Sequence, residues 1–507
     1  MNLKSLSGFK LGLLANFAGT GWSALVQLAC IPLYIKFLGI EAFGLIGFYL
    51  MLQTVLQVLD LGLSPTMNRE MARYSVQPEK SSEAHDLVRT LEIGYWLIGL
   101  VVGAALLAAS SWIATHWIKA NAMPLSSIRQ AVMLMAVLTV FQWPVSFYQG
   151  GLMGLHRQVP FNALRIIAVT LSNGGSVLVL WLVAPTIKAF LLWMVAINAA
   201  QVVSLAILLR KSLPPTSHTP KFDFSLIRNI GRFAAGMSGI TLTSILLTQI
   251  DKVLVSKLLA LKIFGYYTLA WAVANGLSVL VVAVFNVIYP LMSAQVAAGD
   301  EAGLKQSYHR GSQLMAALVL PAAAVLSLFS FEVLRLWTGS SETARHAAPI
   351  VSILVIGSAV NGLLHLPYAL QLAFGWTKLN FLAGLVSSAV VIAAIFPMTR
   401  YFGPVGAATV WAVLNILNML IVVPIMHRRL LRPEVWGYYR DIGFPLISTI
   451  GIVVLARFVF PTLGTSVMTL IALCAVWLGG LIVAVLTAPQ IRTWALSHVT
   501  KQKPSYA

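Results

Sequence analysis

Residues 11–35 read LGLLANFAGTGWSALVQLACIPLYI, and the reading of this stretch decides the fold. Its 25 residues carry no Asp, Glu, Lys or Arg, and as a helix they are long enough to cross a bilayer. They are not uniformly apolar. Asn16, Thr20, Ser23 and Gln27 recur at spacings of four, three and four, which stacks them on one helical face. Lipid penalises such a face, so the helix turns it toward a bundle interior or a water-filled cavity. The next apolar stretch repeats the arrangement with Gln53, Gln57, Asp60 and Ser64.

The same reading along the chain gives fourteen apolar spans. They are 11–35, 43–63, 91–117, 128–151, 161–184, 188–209, 233–258, 264–294, 312–337, 347–373, 380–399, 403–426, 442–460 and 466–488. Composition agrees: 59% of the residues are hydrophobic and 10% charged, where a soluble domain carries about 25% charge. The chain is therefore expected to be an all-α polytopic membrane protein. Cys30 and Cys474 both fall inside spans, which excludes a disulfide framework or a cysteine metal site. The first run is too long for a signal peptide and lacks a cleavage pattern, so it reads as a retained helix.

Most of the 34 Lys and Arg residues fall in one set of links, including those around Arg69, Arg73, Lys80, Arg210, Lys211, Arg428 and Arg429. The positive-inside rule places that set, and both termini, in the cytoplasm. This topology accounts for much of the net charge of +19, so nucleic-acid binding does not follow from it. The opposite links are very short and leave no extracytoplasmic domain for chemistry.

One link divides the chain. Residues 210–232 contain Leu213-Pro214-Pro215 and then a short amphipathic stretch that Asp223 or Ser225 could cap. An internal repeat agrees. Lys36 with Phe43-Gly44 matches Lys257 with Phe264-Gly265, and Gly154 with Arg157 matches Gly375 with Lys378, all at an offset of 221 residues. The expected units are a six-helix lobe over 1–209, a linker over 210–232, a second six-helix lobe over 233–426, and two extra helices with a tail over 427–507. Six spans per half is an even number, so the halves are parallel.

The stretch from Ile31-Pro32-Leu33-Tyr34 through Phe43-Gly44 to Asp60, Gly62, Asn68-Arg69-Glu70 resembles the amino-terminal signature of bacterial polysaccharide flippases. Gly151-Leu152-Met153-Gly154-Leu155-His156-Arg157 resembles the fourth-to-fifth link of the same family. These are the O-antigen and exopolysaccharide translocases of the MATE-like multidrug/oligosaccharidyl-lipid/polysaccharide superfamily. The resemblance implies two lobes around a central cavity, alternating access, and location in the bacterial inner membrane. It also implies an undecaprenyl-pyrophosphate-linked oligosaccharide as cargo, with polysaccharide polymerase machinery as a candidate partner.

Cargo of that kind needs cations for its pyrophosphate and amides, hydroxyls and rings for its sugars. Arg165 and Lys252 are the candidate pyrophosphate contacts. The bland alternatives are snorkelling for Arg165 and a structural ion pair for Lys252. Polar stripes recur at Thr241, Ser244, Thr248 and Asp251 and at Ser358, Asn361, His365 and Tyr368. With the first two stripes they nominate Asn16, Gln27, Gln53, Gln57, Thr248, Asn361, His365 and Tyr368 for sugar contacts, set against a role as glue between helices. Asp60 and Asp251 are the deepest acids. Either could hold a coupling proton or sodium ion, though the reading preferred for both is that of a counter-ion to a nearby cation. No other cofactor is expected, and no nucleotide-binding loop is present. A lipid II flippase is the nearest rival. A MATE-type drug or cation antiporter is disfavoured because residues 11–35 hold no acid, and a membrane enzyme because no outer loop could carry a catalytic group.

Overall fold

The computed structural model describes residues 3–60, 62–217, 219–226, 248–460 and 466–492. Helix dominates them throughout, because a chain this apolar must satisfy its backbone polar groups internally. In chain order the helices are α1 (Leu3–Leu56), α2 (Leu63–Tyr74), α3 (Ser81–Trp112), α4 (Leu125–Gly154), α5 (Gln158–Leu182) and α6 (Ile187–Ser212). Then come α7 (Leu261–Ala298), α8 (Glu301–Leu328), α9 (Ser330–Thr338), α10 (Ser341–Ala373), α11 (Lys378–Leu430), α12 (Val435–Val459) and α13 (Ser466–Leu486). Residues 248–258 are also helical.

Among the described residues, eleven helices are long and apolar enough to cross a membrane. Two of these are bent, and each holds two of the expected spans. α1 breaks at Gly39 (φ 80°) and α11 at Gly403 (φ 59°), backbone conformations that favour glycine. Pro404 follows the second break and donates no hydrogen bond. Each pair of spans is thus joined by a single glycine rather than by the longer link expected at 36–42. The expected span 233–258 lies largely outside the described residues. The expected span 312–337 differs in register: helix α8 begins at Glu301, where Asp300 Oδ1 accepts Gly303 N at 2.8 Å, and the chain breaks at Phe329 before α9.

The chain forms two compact units, Met1–Gly265 and Tyr266–Ala507. In the first, α1 packs on α5, and α4 packs on α2, α3 and α6. Met67, Met71, Leu91, Tyr95, Phe147 and Leu209 form the heart of its core, drawn from α2, α3, α4 and α6. The link after α6 is tied to α3. His85 Nε2 meets Pro214 O at 2.9 Å, Asp86 Oδ1 accepts Lys221 N at 2.6 Å, and Thr90 Oγ1 accepts Asp223 N at 2.9 Å. Asp223 Oδ1 accepts Ser225 N at 2.8 Å, so Asp223 is the cap. In the second unit α10 packs on α8, α9 and α11, and α12 packs on α8 and α13.

The first unit also gathers three segments far apart in sequence. Lys119 O accepts Leu261 N at 2.7 Å, Trp117 Nε1 donates to Ser256 Oγ at 3.1 Å, and Glu41 Oε1 accepts Asn121 N at 2.6 Å. Gly44 and Gly265, the two glycines of the repeat, face each other's helices. A Cβ on Gly44 would lie 2.5 Å from Leu261 O, and a Cβ on Gly265 would run into Ile40 O. Ile40 and Leu261 are themselves 221 residues apart. The contact is therefore reciprocal in the repeat.

Candidate substrate cavity

Helix α1 runs on into a 3-10 turn, Gln57–Asp60, before the left-handed Gly62 starts α2. This ending aims Gln53, Gln57 and Asp60 toward α4. On α4 the facing side chains are Thr139, Gln142, Ser146 and Gln149, at spacings of three, four and three, with Trp143 and Val145 between them. Together with Leu56 these residues line a cavity of about 190 Å³ within the first unit.

Its chemistry is that of neutral hydrogen-bonding groups around one carboxylate. Among the described residues no protein group bonds to the amides of Gln57, Gln142 or Gln149. Gln53 Nε2 donates to Tyr49 Oη, one turn back on its own helix. Trp143 is 9% exposed, and its Nε1 is buried without a hydrogen-bond partner among the described residues. A buried N–H without a partner costs about 1–3 kcal/mol.

Asp60 is held by three donors. Ser64 N reaches Oδ2 at 3.2 Å, while Ser64 Oγ at 2.7 Å and Tyr95 Oη at 2.5 Å reach Oδ1. Tyr95 is 1% exposed, so this donor is fixed by the core. No Lys or Arg among the described residues pairs with Asp60, contrary to the counter-ion alternative. Asp251, by contrast, has Lys252 Nζ at 3.5 Å. Lys252 also donates to Thr248 O at 2.8 Å, so this cation is bound within its own helix.

The remaining candidates fall into two further groups. Around α1 and α5, Asn16 Oδ1 accepts Asn162 Nδ2 at 2.5 Å, which makes Asn16 a bridge between helices. Half-buried Arg165 donates from Nη1 to Thr20 Oγ1 at 3.4 Å, and no carboxylate among the described residues pairs with it. Gln27 is exposed on α1. In the second unit Asn361 Nδ2 donates to Asn415 Oδ1 at 2.9 Å, again between helices, and His365 Nδ1 meets Asn361 O at 2.9 Å. Tyr368 stacks 6.3 Å from Phe285, which in turn stacks 5.4 Å from Tyr289.

The stripe on α4 and the buried Tyr95 were missed by the sequence reading. The signal for the first was present, since Thr139, Gln142, Ser146 and Gln149 satisfy the spacing rule that picked out α1. Trp143, Pro144 and Phe147 break up the stripe and give the segment the look of core.

The family described as polysaccharide biosynthesis protein matches residues 11–296, more than half of the chain. The "Putative O-antigen transporter" of Shigella flexneri is 21% identical over 407 residues, covering 80% of this chain and 95% of that protein. Among solved structures, the lipid II flippase MurJ in an inward closed conformation aligns with a TM-score of 0.72 at 14% identity, over 94% of this chain and 98% of that one. An inward-facing MATE multidrug resistance transporter of the MOP superfamily aligns with a TM-score of 0.66 at 14% identity, over 82% of this chain and 95% of that one. The chain belongs to the polysaccharide biosynthesis protein family and carries the membrane-transporter fold shared by MurJ and the MATE proteins.

Proposed function

We propose that the protein is a flippase that moves an undecaprenyl-pyrophosphate-linked oligosaccharide from the cytoplasmic to the periplasmic leaflet of the bacterial inner membrane. Both termini are cytoplasmic in this reading, and two parallel lobes alternate access to the cargo. The observation that carries it is the cavity between α1 and α4, lined by neutral amides and hydroxyls inside a helix bundle. Amides that bond to nothing among the described residues suit a ligand that is both donor and acceptor at many points, as sugar hydroxyls are. A drug antiporter handling apolar cations has little use for four glutamines.

Arg165 is the proposed pyrophosphate contact. Its guanidinium is half-buried beside a hydroxyl, and no carboxylate among the described residues offsets its charge. Lys252 ranks below it because Asp251 already offsets its charge. Gln27, Thr248, His365 and Tyr368 are further proposed contacts. Fold likeness to a solved lipid II flippase keeps peptidoglycan precursor as the second reading for cargo.

The test is export of surface polysaccharide per folded molecule in cells that depend on this chain. A charge-assisted hydrogen bond is worth about 1.5–3 kcal/mol, so Arg165→Gln is expected to lower export by roughly tenfold to a hundredfold at unchanged membrane abundance. Arg165→Lys is milder, since charge survives while the bidentate geometry is lost. Lys252→Gln has the smaller effect of the two neutralising changes. Wild-type export from Arg165→Gln overturns the assignment. Rescue of cells lacking their lipid II flippase, without restoration of surface polysaccharide, moves the protein to the second reading.

A further inference from the structure

We infer that the cavity between α1 and α4 binds one uncharged sugar residue of the cargo glycan, and that Asp60 excludes acidic sugars from it. The inference rests on the flippase reading and adds a substrate class to it.

Size sets the first limit. Pockets for drug-sized ligands run to roughly 300–1,000 Å³, and this cavity is about 190 Å³. It has room for a single pyranose ring, not for an oligosaccharide. The lining sets the second. Gln57, Gln142 and Gln149 each offer both a donor and an acceptor that no described residue uses. Trp143 adds an indole side chain to the wall. An aromatic ring beside hydrogen-bonding amides matches a sugar, whose C–H face is apolar and whose rim is polar.

Charge sets the third. Asp60 lies in the cavity wall with its carboxylate fixed by Ser64 and Tyr95 and with no cation among the described residues against it. A uronic acid or a phosphorylated sugar would bring a second anion against it in a partly open cavity. Like charges juxtaposed at a binding surface cost up to several kcal/mol, less where water screens them, and this serves as selection against the wrong cargo. The three donors hold the carboxylate in place, so it cannot swing away from an anionic guest. An anion-binding pocket would carry the opposite sign, and the half-buried cation Arg165 is on α5, outside the cavity lining. The two ends of the cargo are thus sorted by charge: pyrophosphate to Arg165, neutral sugar to the Asp60 cavity.

The experiment uses the purified full chain in liposomes and in detergent with two short-chain polyprenyl-pyrophosphate probes. One carries an N-acetylhexosamine and the other a hexuronic acid. The wild type is expected to bind, and to flip, the N-acetylhexosamine probe at least about tenfold better than the uronate probe. Asp60→Asn keeps a side chain able to cap α2 and is expected to raise the uronate-to-neutral ratio about tenfold. Gln142→Met keeps the side-chain length, removes the amide, and is expected to weaken binding of the neutral probe by about fivefold to tenfold. Melting temperatures of both variants near that of the wild type exclude misfolding. Equal wild-type affinity for the two probes, or an unchanged ratio in Asp60→Asn, overturns the pocket. Binding with this selectivity but no movement of either probe leaves the pocket standing and overturns the flippase reading instead.

Discussion

Glu92 shows at the level of one residue how this chain keeps a buried carboxylate. It is buried on α3, and Arg210 Nη2 reaches both of its oxygens, at 2.7 and 2.9 Å. Tyr148 Oη donates to Oε1 at 2.6 Å, and Arg89 Nη1 stands 3.6 Å away. Removing a partner leaves part of a buried charge unmatched, at a cost of about 3–5 kcal/mol for a fully buried pair. The Arg210 side chain is 58% exposed, so solvent screens its share. Arg210→Ala is therefore expected to cost nearer ~2 kcal/mol, and Tyr148→Phe ~1 kcal/mol. Thermal unfolding of the detergent-purified variants checks both. A Tyr148→Phe melting temperature below that of Arg210→Ala would reverse the ranking. Asp60 belongs to the same class of buried or half-buried acids but lacks the cation, and this difference makes it the candidate for work rather than for support.

Among the elements, the seating of α2 on α4 matters most for the cavity, because α2 begins where Asp60 ends. Gly150 and Gly154 are one turn apart on α4, a small-xxx-small arrangement that lets backbones approach closely. A Cβ on Gly150 would lie 2.5 Å from Ser64 O, and one on Gly154 would strike Asn68 O. Gly154→Ala must push α2 away, whereas Gly94→Ala on α3 meets nothing within 4 Å. The first is expected to lower stability by ~1–3 kcal/mol, as overpacking does, and the second to leave it unchanged. Equal melting temperatures for the two would show that α2 seats loosely. The stretch Gly151–Arg157 was legible in the sequence as a family-like link, yet the purpose of its glycines was not, since that depends on which helix docks there. The stripes on α1 were legible because spacing alone reveals them. The pairing of α1 with α4, rather than with the stripes at 248–251 or 358–368, was not legible, because spacing carries no information about the partner. Asn16 and Asn361 illustrate the ambiguity: both sit on predicted stripes, and both bridge helices.

At the scale of the whole molecule, alternating access requires contacts that form in one state and break in another, and the first unit holds a set suited to this. Lys257 Nζ bonds to His116 O and lies 5.6 and 5.4 Å from the ring centroids of Trp112 and Trp117. Glu41 holds the backbone of Asn121 and Ala122, Trp117 holds Ser256, and Gly44 and Gly265 let their helices touch. On the proposed orientation this cluster lies at the periplasmic end, where cargo must leave. Each cation–π contact contributes about 0.5–2 kcal/mol, so Lys257 and Glu41 together account for a few kcal/mol of closure. Removing them shifts the balance toward an open end by about tenfold for each 1.4 kcal/mol lost. Ser256 is buried under Trp117 and reports on that opening. In a background with Cys30 and Cys474 replaced by Ala, Ser256→Cys is expected to react slowly with an external membrane-impermeant maleimide. Adding Lys257→Ala and Glu41→Gln is expected to raise the labelling rate at least about tenfold while the helices stay intact. An unchanged rate would mean that the cluster is a fixed part of the bundle, and that any opening for the cargo occurs elsewhere.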